Sequence, residues 1–457
     1  MIENIILENN IYNDAYLRDF IISLESKYCI SDEKEFFNSL VNFSKNKDIP
    51  YHRWFKYREG YSHALIKELI ERSKIDSNEY ILDPFCGSGT TIIEASINGY
   101  NGLGLDINPM SAFISEVKCR PYSDDEIAEL RKTSKILDEY CNNQDFDIHD
   151  EQYRYKEVEK YFSTNNFKQL LKIKEFVDSL RLGNSEKIYD FFFTAYLCII
   201  EKVSDRKRDG NGLKTVQSTI DNVFKYYLNQ SHIMIEDIIR VRIKRNISSK
   251  VIFGNAMNLG ESVNKYNQQI GSSVGAIMYS PPYANSFDYF ESYKLEITLG
   301  DFVKNMKEIN TYRQQAVESF VGRKEERLSS FDFLNWMANE IESDIPLKEA
   351  ITGKRDSRTR KVPKMIKGYF RDMEKVIEQS AEVLTQGKRC YIVVDQSSYL
   401  GKVVPTDLFL AYIGEQHGFK INEIIVCRSA KTSGQQLQKY PYLKDILRES
   451  IVVMEKK

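Results

Sequence analysis

The chain has 457 residues, 42% of them hydrophobic, enough for two or three packed domains. Its 64 basic and 66 acidic residues leave a net charge of −2, so only local clustering can mark a polyanion surface. The seven cysteines form no Cys-x-x-Cys pair, which argues against a zinc site or disulfide framework and suits a reducing, cytosolic compartment. No stretch reaches the roughly 18 apolar residues of a membrane span, and the first residues carry no basic leader pattern.

Taken in order, residues 1–49 read as helical, with apolar residues at helical spacing from Tyr16 to Leu24, and suggest a cap or arm. Tyr61 and Ser62 precede a helix with Leu65, Ile66, Leu69 and Ile70 on one face, and either residue is a candidate cap. His52 and His63 read as packing residues. Ile81-Leu82 then ends a buried strand, followed by Asp83-Pro84-Phe85-Cys86-Gly87-Ser88-Gly89-Thr90-Thr91. This is strand, glycine turn and helix start, a place where backbone N–H groups are open to a ligand. No Lys follows the last glycine, so a phosphate-cradling loop is excluded. A second strand ends in Asp106, about 20 residues beyond the first, the spacing that puts a carboxylate on ribose hydroxyls. Asn108-Pro109 opens the next helix.

Residues 121–246 leave this rhythm for helical patterns and form an expected insertion. Within it Arg206-Lys-Arg-Asp-Gly-Asn-Gly-Leu-Lys214 reads as a basic loop, either a phosphate contact or a solvated tip. Lys250 to Phe253 returns to a strand, with Asn255 and Ala256 after it. Val274 to Tyr279 is a further strand, running into Ser280-Pro281-Pro282-Tyr283. Two prolines remove two N–H donors and leave carbonyls, one hydroxyl and one aromatic face, the groups that suit an exocyclic amine on a stacked base. Residues 301–375 hold the most basic window, Lys354 to Lys367, with seven cations against Asp356. Arg355, Arg358, Arg360, Lys361 and Lys364 are its candidate DNA contacts. Residues 376–457 give a helix, a strand ending at Asp395, a helix from Asp407 and two last strands.

Together the glycine loop and Ser280-Pro-Pro-Tyr283 resemble the motifs of the amino-group DNA methyltransferases, which use S-adenosyl-L-methionine (SAM) to methylate cytosine N4 or adenine N6. The resemblance covers the expected core, 50–120, 247–300 and 376–457, but neither insertion. It implies a Rossmann-like α/β methyltransferase sheet, with the final strand antiparallel. It also implies SAM held by Tyr61, Ser62, Asp83, Pro84, Phe85, Gly87, Ser88, Gly89, Thr90, Asp106, Asn255 and Ala256. Asn255 would meet the adenine amino group. Ser280, Pro281, Pro282 and Tyr283 become the catalytic set, no metal is implied, and double-stranded DNA is the partner, with a restriction nuclease as an expected companion. The Ser form of the motif favours cytosine N4. The order of the two motifs is the reverse of that in many cytosine N4 enzymes, so adenine N6 stays open, as do RNA, a protein side chain, or a non-catalytic DNA-binding role.

Overall fold

The computed structural model describes residues 2–57, 60–142, 155–183, 185–209, 212–285, 287–323, 331–430 and 432–457. Continuous apolar runs dictate its centre. Strands such as β2 (Glu79–Asp83), buried along its whole length, need cover on both faces, which favours a parallel sheet with helices on each side. The other strands of this sheet are β1 (Ile30–Asp32), β3 (Asn101–Asp106), β6 (Lys250–Phe253), β7 (Ser273–Tyr279), β8 (Leu384–Asp395), β11 (Phe419–Ser429) and β12 (Arg448–Lys456). Their order is β1-β11-β12-β8-β7-β2-β3-β6. All pairings are parallel except those of β12, antiparallel to both β11 and β8. This is a mixed α/β, Rossmann-like sheet, mostly parallel with one antiparallel strand.

The chain winds outward from β2 through β3 to β6, then crosses back to β7 and continues the other way. The reversal falls between β2 and β7, where Leu82 is in register with Ile277. Asp83 and Ser280, almost 200 residues apart in sequence, therefore end neighbouring strands, and open α/β sheets form their ligand crevice at such a reversal.

Two regions depart from the sequence expectations. Residues 1–49 are not helical throughout, because Ile30–Asp32 adds a parallel edge strand beside β11. The stretch Arg206–Lys214 is not a simple loop: β4 (Arg206–Asp209) and β5 (Gly212–Thr215) pair as an antiparallel hairpin, with its tip, 210–211, outside the described residues. Within the hairpin Arg208 points inward and pairs with the carboxylates of Glu201 and Glu296. The helix Val362–Val383 runs straight into β8, and Gly387, which reads from sequence as the helix stop, lies inside that strand.

Helices Asp124–Asn142, Thr164–Ser179, Glu186–Val203 and Val223–Arg240 share an aromatic-rich core of their own, including Phe167, Phe191, Phe192, Tyr196 and Tyr227. Asp237, fully buried, ties this core to the segment before the glycine loop. Its carboxylate accepts from Arg53 Nε at 2.9 Å and Nη2 at 2.6 Å, and from Trp54 Nε1 at 2.9 Å. Among the described residues no helix is long and apolar enough to cross a membrane.

Candidate active site

The glycine loop is fixed from below. Asp83 is buried, and its carboxylate accepts from Tyr61 Oη at 2.9 Å, Thr91 Oγ1 at 2.5 Å and Phe85 N at 2.9 Å. Burial pushes its carboxyl up to about 7. Ser115 Oγ donates to the Gly87 carbonyl at 2.7 Å, and the buried Lys118 ammonium donates to the Ser88 carbonyl at 2.7 Å. Gly87 and Gly89 both take positive φ, +51° and +87°. A Cβ on Gly89 would sit 3.0 Å from Ser115, so the loop tolerates only glycine there. Gly89 caps the helix Thr90–Ile97 without a side-chain bond, leaving its first N–H groups to other partners. Ser62 caps the helix His63–Ser73, accepting from Leu65 N. His52 is buried against Glu94 at 2.8 Å, a packing role.

Asp106, at the end of β3, accepts from Gly87 N at 2.9 Å through one oxygen and from Asn108 N at 2.8 Å through the other. Burial raises its carboxyl to about 6. Each oxygen keeps a lone pair for a further donor. Across the strand reversal, Ser280 Oγ donates to Tyr283 Oη at 3.1 Å. Because the serine gives its proton to the tyrosine, its own oxygen stays available as an acceptor. Tyr399 Oη holds the Ala284 carbonyl at 2.7 Å, fixing the turn beyond the motif.

A cleft joins these ends. Of the residues expected from sequence, Pro84, Phe85, Asp106, Asn255, Ala256, Ser280 and Pro282 line it. Tyr61, Ser62, Asp83, Gly87, Gly89, Pro281 and Tyr283 do not. For Asp83 and Tyr61 the reason is burial: they bond each other beneath the loop. Ser88 and Thr90 face a second cavity instead. Asn255 lines the cleft, but its side chain accepts from Met257 N at 3.0 Å and donates to the Gln315 carbonyl at 3.0 Å, so its amide is engaged with backbone.

Sequence reasoning missed one wall altogether. Ala316, Val317, Ser319 and Phe320 close the cleft from the second expected insertion. The buried Arg323 pins this strap, donating to the Gln314 carbonyl at 2.7 Å, the Ala316 carbonyl at 3.2 Å and Asp372 at 2.5 Å. Ser319 Oγ donates to the Phe287 carbonyl at 3.0 Å. No motif marks the strap, because its job is done largely through backbone. Tyr57 was missed too, whereas Asp288, Tyr289 and Phe290 belong to the aromatic run directly after Ser280-Pro-Pro-Tyr283, which reads from sequence as lying beside the pocket.

Comparison with known proteins follows this geometry. Residues 12–116 match the DNA methylase family of N6 and N4 enzymes. The Type II methyltransferase M.AvaI of Nostoc sp. is 27% identical over 453 residues, covering 91% of this chain and 89% of the relative. M.BsoBI of Geobacillus stearothermophilus is 26% identical over 483 residues, covering 95% and 92%. The chain is thus similar, over most of its length, to Type II methyltransferases. Among solved structures, the rRNA methyltransferase aviRa from Streptomyces viridochromogenes aligns over 86% of this chain and 84% of its own, with 9% identity and a TM-score of 0.28, too low to bear on the fold.

The basic window has mixed character. Arg355, Arg358 and Lys361 are exposed, and Lys364 is half-buried. Arg360 is exposed too, but its guanidinium grips Glu349 at 2.8 and 2.5 Å. The helix Val362–Val383 that follows is about 33 Å long and leads directly into β8, so the window lies near the carboxyl end of the sheet. Gly368 on that helix packs on Glu318 of the strap. Of the neighbouring basic stretch Phe320–Arg327, residues 324–327 lie outside the described residues.

Proposed function

We propose that the cleft binds SAM and that the enzyme methylates the N4 amine of a cytosine flipped out of double-stranded DNA. The observation that carries this is the meeting of Asp106 and Ser280 in one cleft, each with acceptor capacity to spare. The fit to SAM rests on this chain's own groups. Asp106 retains lone pairs for two ribose hydroxyls, and Phe85 and Phe290 offer aromatic faces. When bound, the cofactor supplies an electrophilic methyl group.

In this reading Ser280 Oγ and the Pro281 carbonyl accept the two N–H bonds of the amine and turn its lone pair toward the methyl donor. Tyr283 stacks on the base, and alignment supplies much of the rate. No thiol is recruited: Cys86 is buried behind the loop, where burial and the nearby Asp106 push its pKa well above the ordinary thiol value, leaving it protonated and inert. Arg355, Arg358 and Lys361 contact phosphate. Residues 121–246 and 301–375 act as insertions in the core, the second supplying both the strap and the basic window. The Ser form of the motif supports cytosine over adenine.

The test is mass spectrometry of nucleosides from duplex DNA, and from RNA, incubated with the purified chain and SAM. N4-methylcytosine in DNA is expected. N6-methyladenine would overturn the choice of base, and methylation of RNA alone would overturn the choice of nucleic acid. Ser280→Ala with unchanged turnover would remove the catalytic assignment.

A further inference from the structure

Tyr57 lies on the boundary of two cavities. On one side is the cleft of Asp106 and Ser280. On the other is a wider cavity, opened by Ser88 and Thr90 at the helix start, with Lys47, Lys56, Lys202, Glu201 and Glu296 on its walls. The ring covers Gly87 so closely that a Cβ there would sit 2.8 Å from Tyr57 Cε1. Its other face stacks on Tyr293, with centroids 5.0 Å apart and planes 6° from parallel. Tyr293 in turn carries the Arg208 guanidinium, 4.3 Å from its ring centre. Arg208 comes from the β4–β5 hairpin and is locked by Glu201 at 2.6 Å, by Glu296, and by the Ser292 carbonyl at 3.0 Å. A buried ion cluster thus fixes one end of an aromatic stack whose other end rests on the glycine loop.

Resting on the SAM reading above, we propose that Tyr57 is a cofactor-positioning residue. Its ring separates the nucleoside half, in the first cavity, from the amino-acid half, in the second, and Arg208 sets the ring's place through Tyr293. A thioether nucleoside fills only the first cavity. The zwitterionic amino-acid end must pass the ring to bring its carboxylate to the helix start, with its ammonium toward the second cavity.

Calorimetric titration of the full chain with S-adenosylhomocysteine and with 5′-methylthioadenosine tests this. Tyr57→Ala is expected to weaken S-adenosylhomocysteine about tenfold, the upper range for one aromatic contact, while leaving 5′-methylthioadenosine within about twofold. Tyr57→Phe and Tyr293→Phe keep the stack and both affinities, whereas Tyr293→Ala follows Tyr57→Ala in direction. Unchanged S-adenosylhomocysteine binding by Tyr57→Ala, or equal loss of both ligands, overturns the proposal. Asp106→Ala separates the two levels, since it must weaken both ligands. If it does not, or if the native chain binds neither, the SAM reading itself has failed.

Discussion

Two arginine-rich stretches look alike in the sequence and differ in the folded chain. In Arg206–Lys214 the central arginine is buried against two carboxylates and an aromatic ring. In Lys354–Lys367, Arg355, Arg358 and Lys361 stand in solvent, and the ion pair Arg360–Glu349 is a surface one. The lesson is electrostatic. A guanidinium taken out of water needs its partners, and removing them leaves a charge unpaired, whereas an exposed one is already satisfied by water. The same contrast appears in the acids. Burial raises Glu296 to about 7 despite Arg208, while Lys348 and the Thr359 backbone pull Asp356 below its ordinary value. The signs of the pH effects are therefore opposite. Glu296 binds its proton more tightly folded than unfolded, so its contribution declines as pH rises from about 4.5 through about 7. Asp356 contributes above its ordinary range and loses that as pH falls below it.

Experiments can break or sharpen this contrast. Arg208→Met should cost the most, on the order of 3–5 kcal/mol in urea unfolding, because it strands Glu201 and Glu296; a loss under about 1 kcal/mol would put the two stretches in one class. Ser280→Ala, outside both, should lower methyl transfer on the order of 100-fold with the unfolding midpoint unchanged, as expected for lost alignment. The triple change Arg355→Ala, Arg358→Ala, Lys361→Ala should leave stability within about 0.5 kcal/mol. It should weaken binding to all duplexes alike and reduce the logarithmic salt slope by about 3. An unchanged slope would remove the window from the DNA surface. S-adenosylhomocysteine binding should weaken as pH drops below about 6, where Asp106 takes up a proton and loses acceptor capacity, and Asp106→Asn should flatten that profile. Arg360→Ala should cost least, about 0–1 kcal/mol, since its pair is solvated.

Much of the site was legible because its parts are local. Strand, glycine turn and helix start are adjacent in sequence, and Ser280-Pro-Pro-Tyr283 follows its strand directly. Asp106 was findable because a βα unit has a set length. Asp83 was read in the right loop but facing the wrong way: whether a carboxylate at a strand end looks out or in depends on Tyr61 and Thr91, which only packing brings to it. The strap Ala316–Phe320 was invisible, since backbone carbonyls held by Arg323, itself anchored on the distant Asp372, leave no pattern.

By itself, then, the sequence determined the type of most core elements and the chemistry their ends can offer, because strand periodicity, proline and glycine act over a few residues. The tertiary structure alone decided which ends meet. The strand order reverses between β2 and β7, and that reversal sets Asp106 and Ser280 around one cleft. It also decided the fate of the arginines, because burial depends on what packs from elsewhere, and no stretch of sequence states its own surroundings.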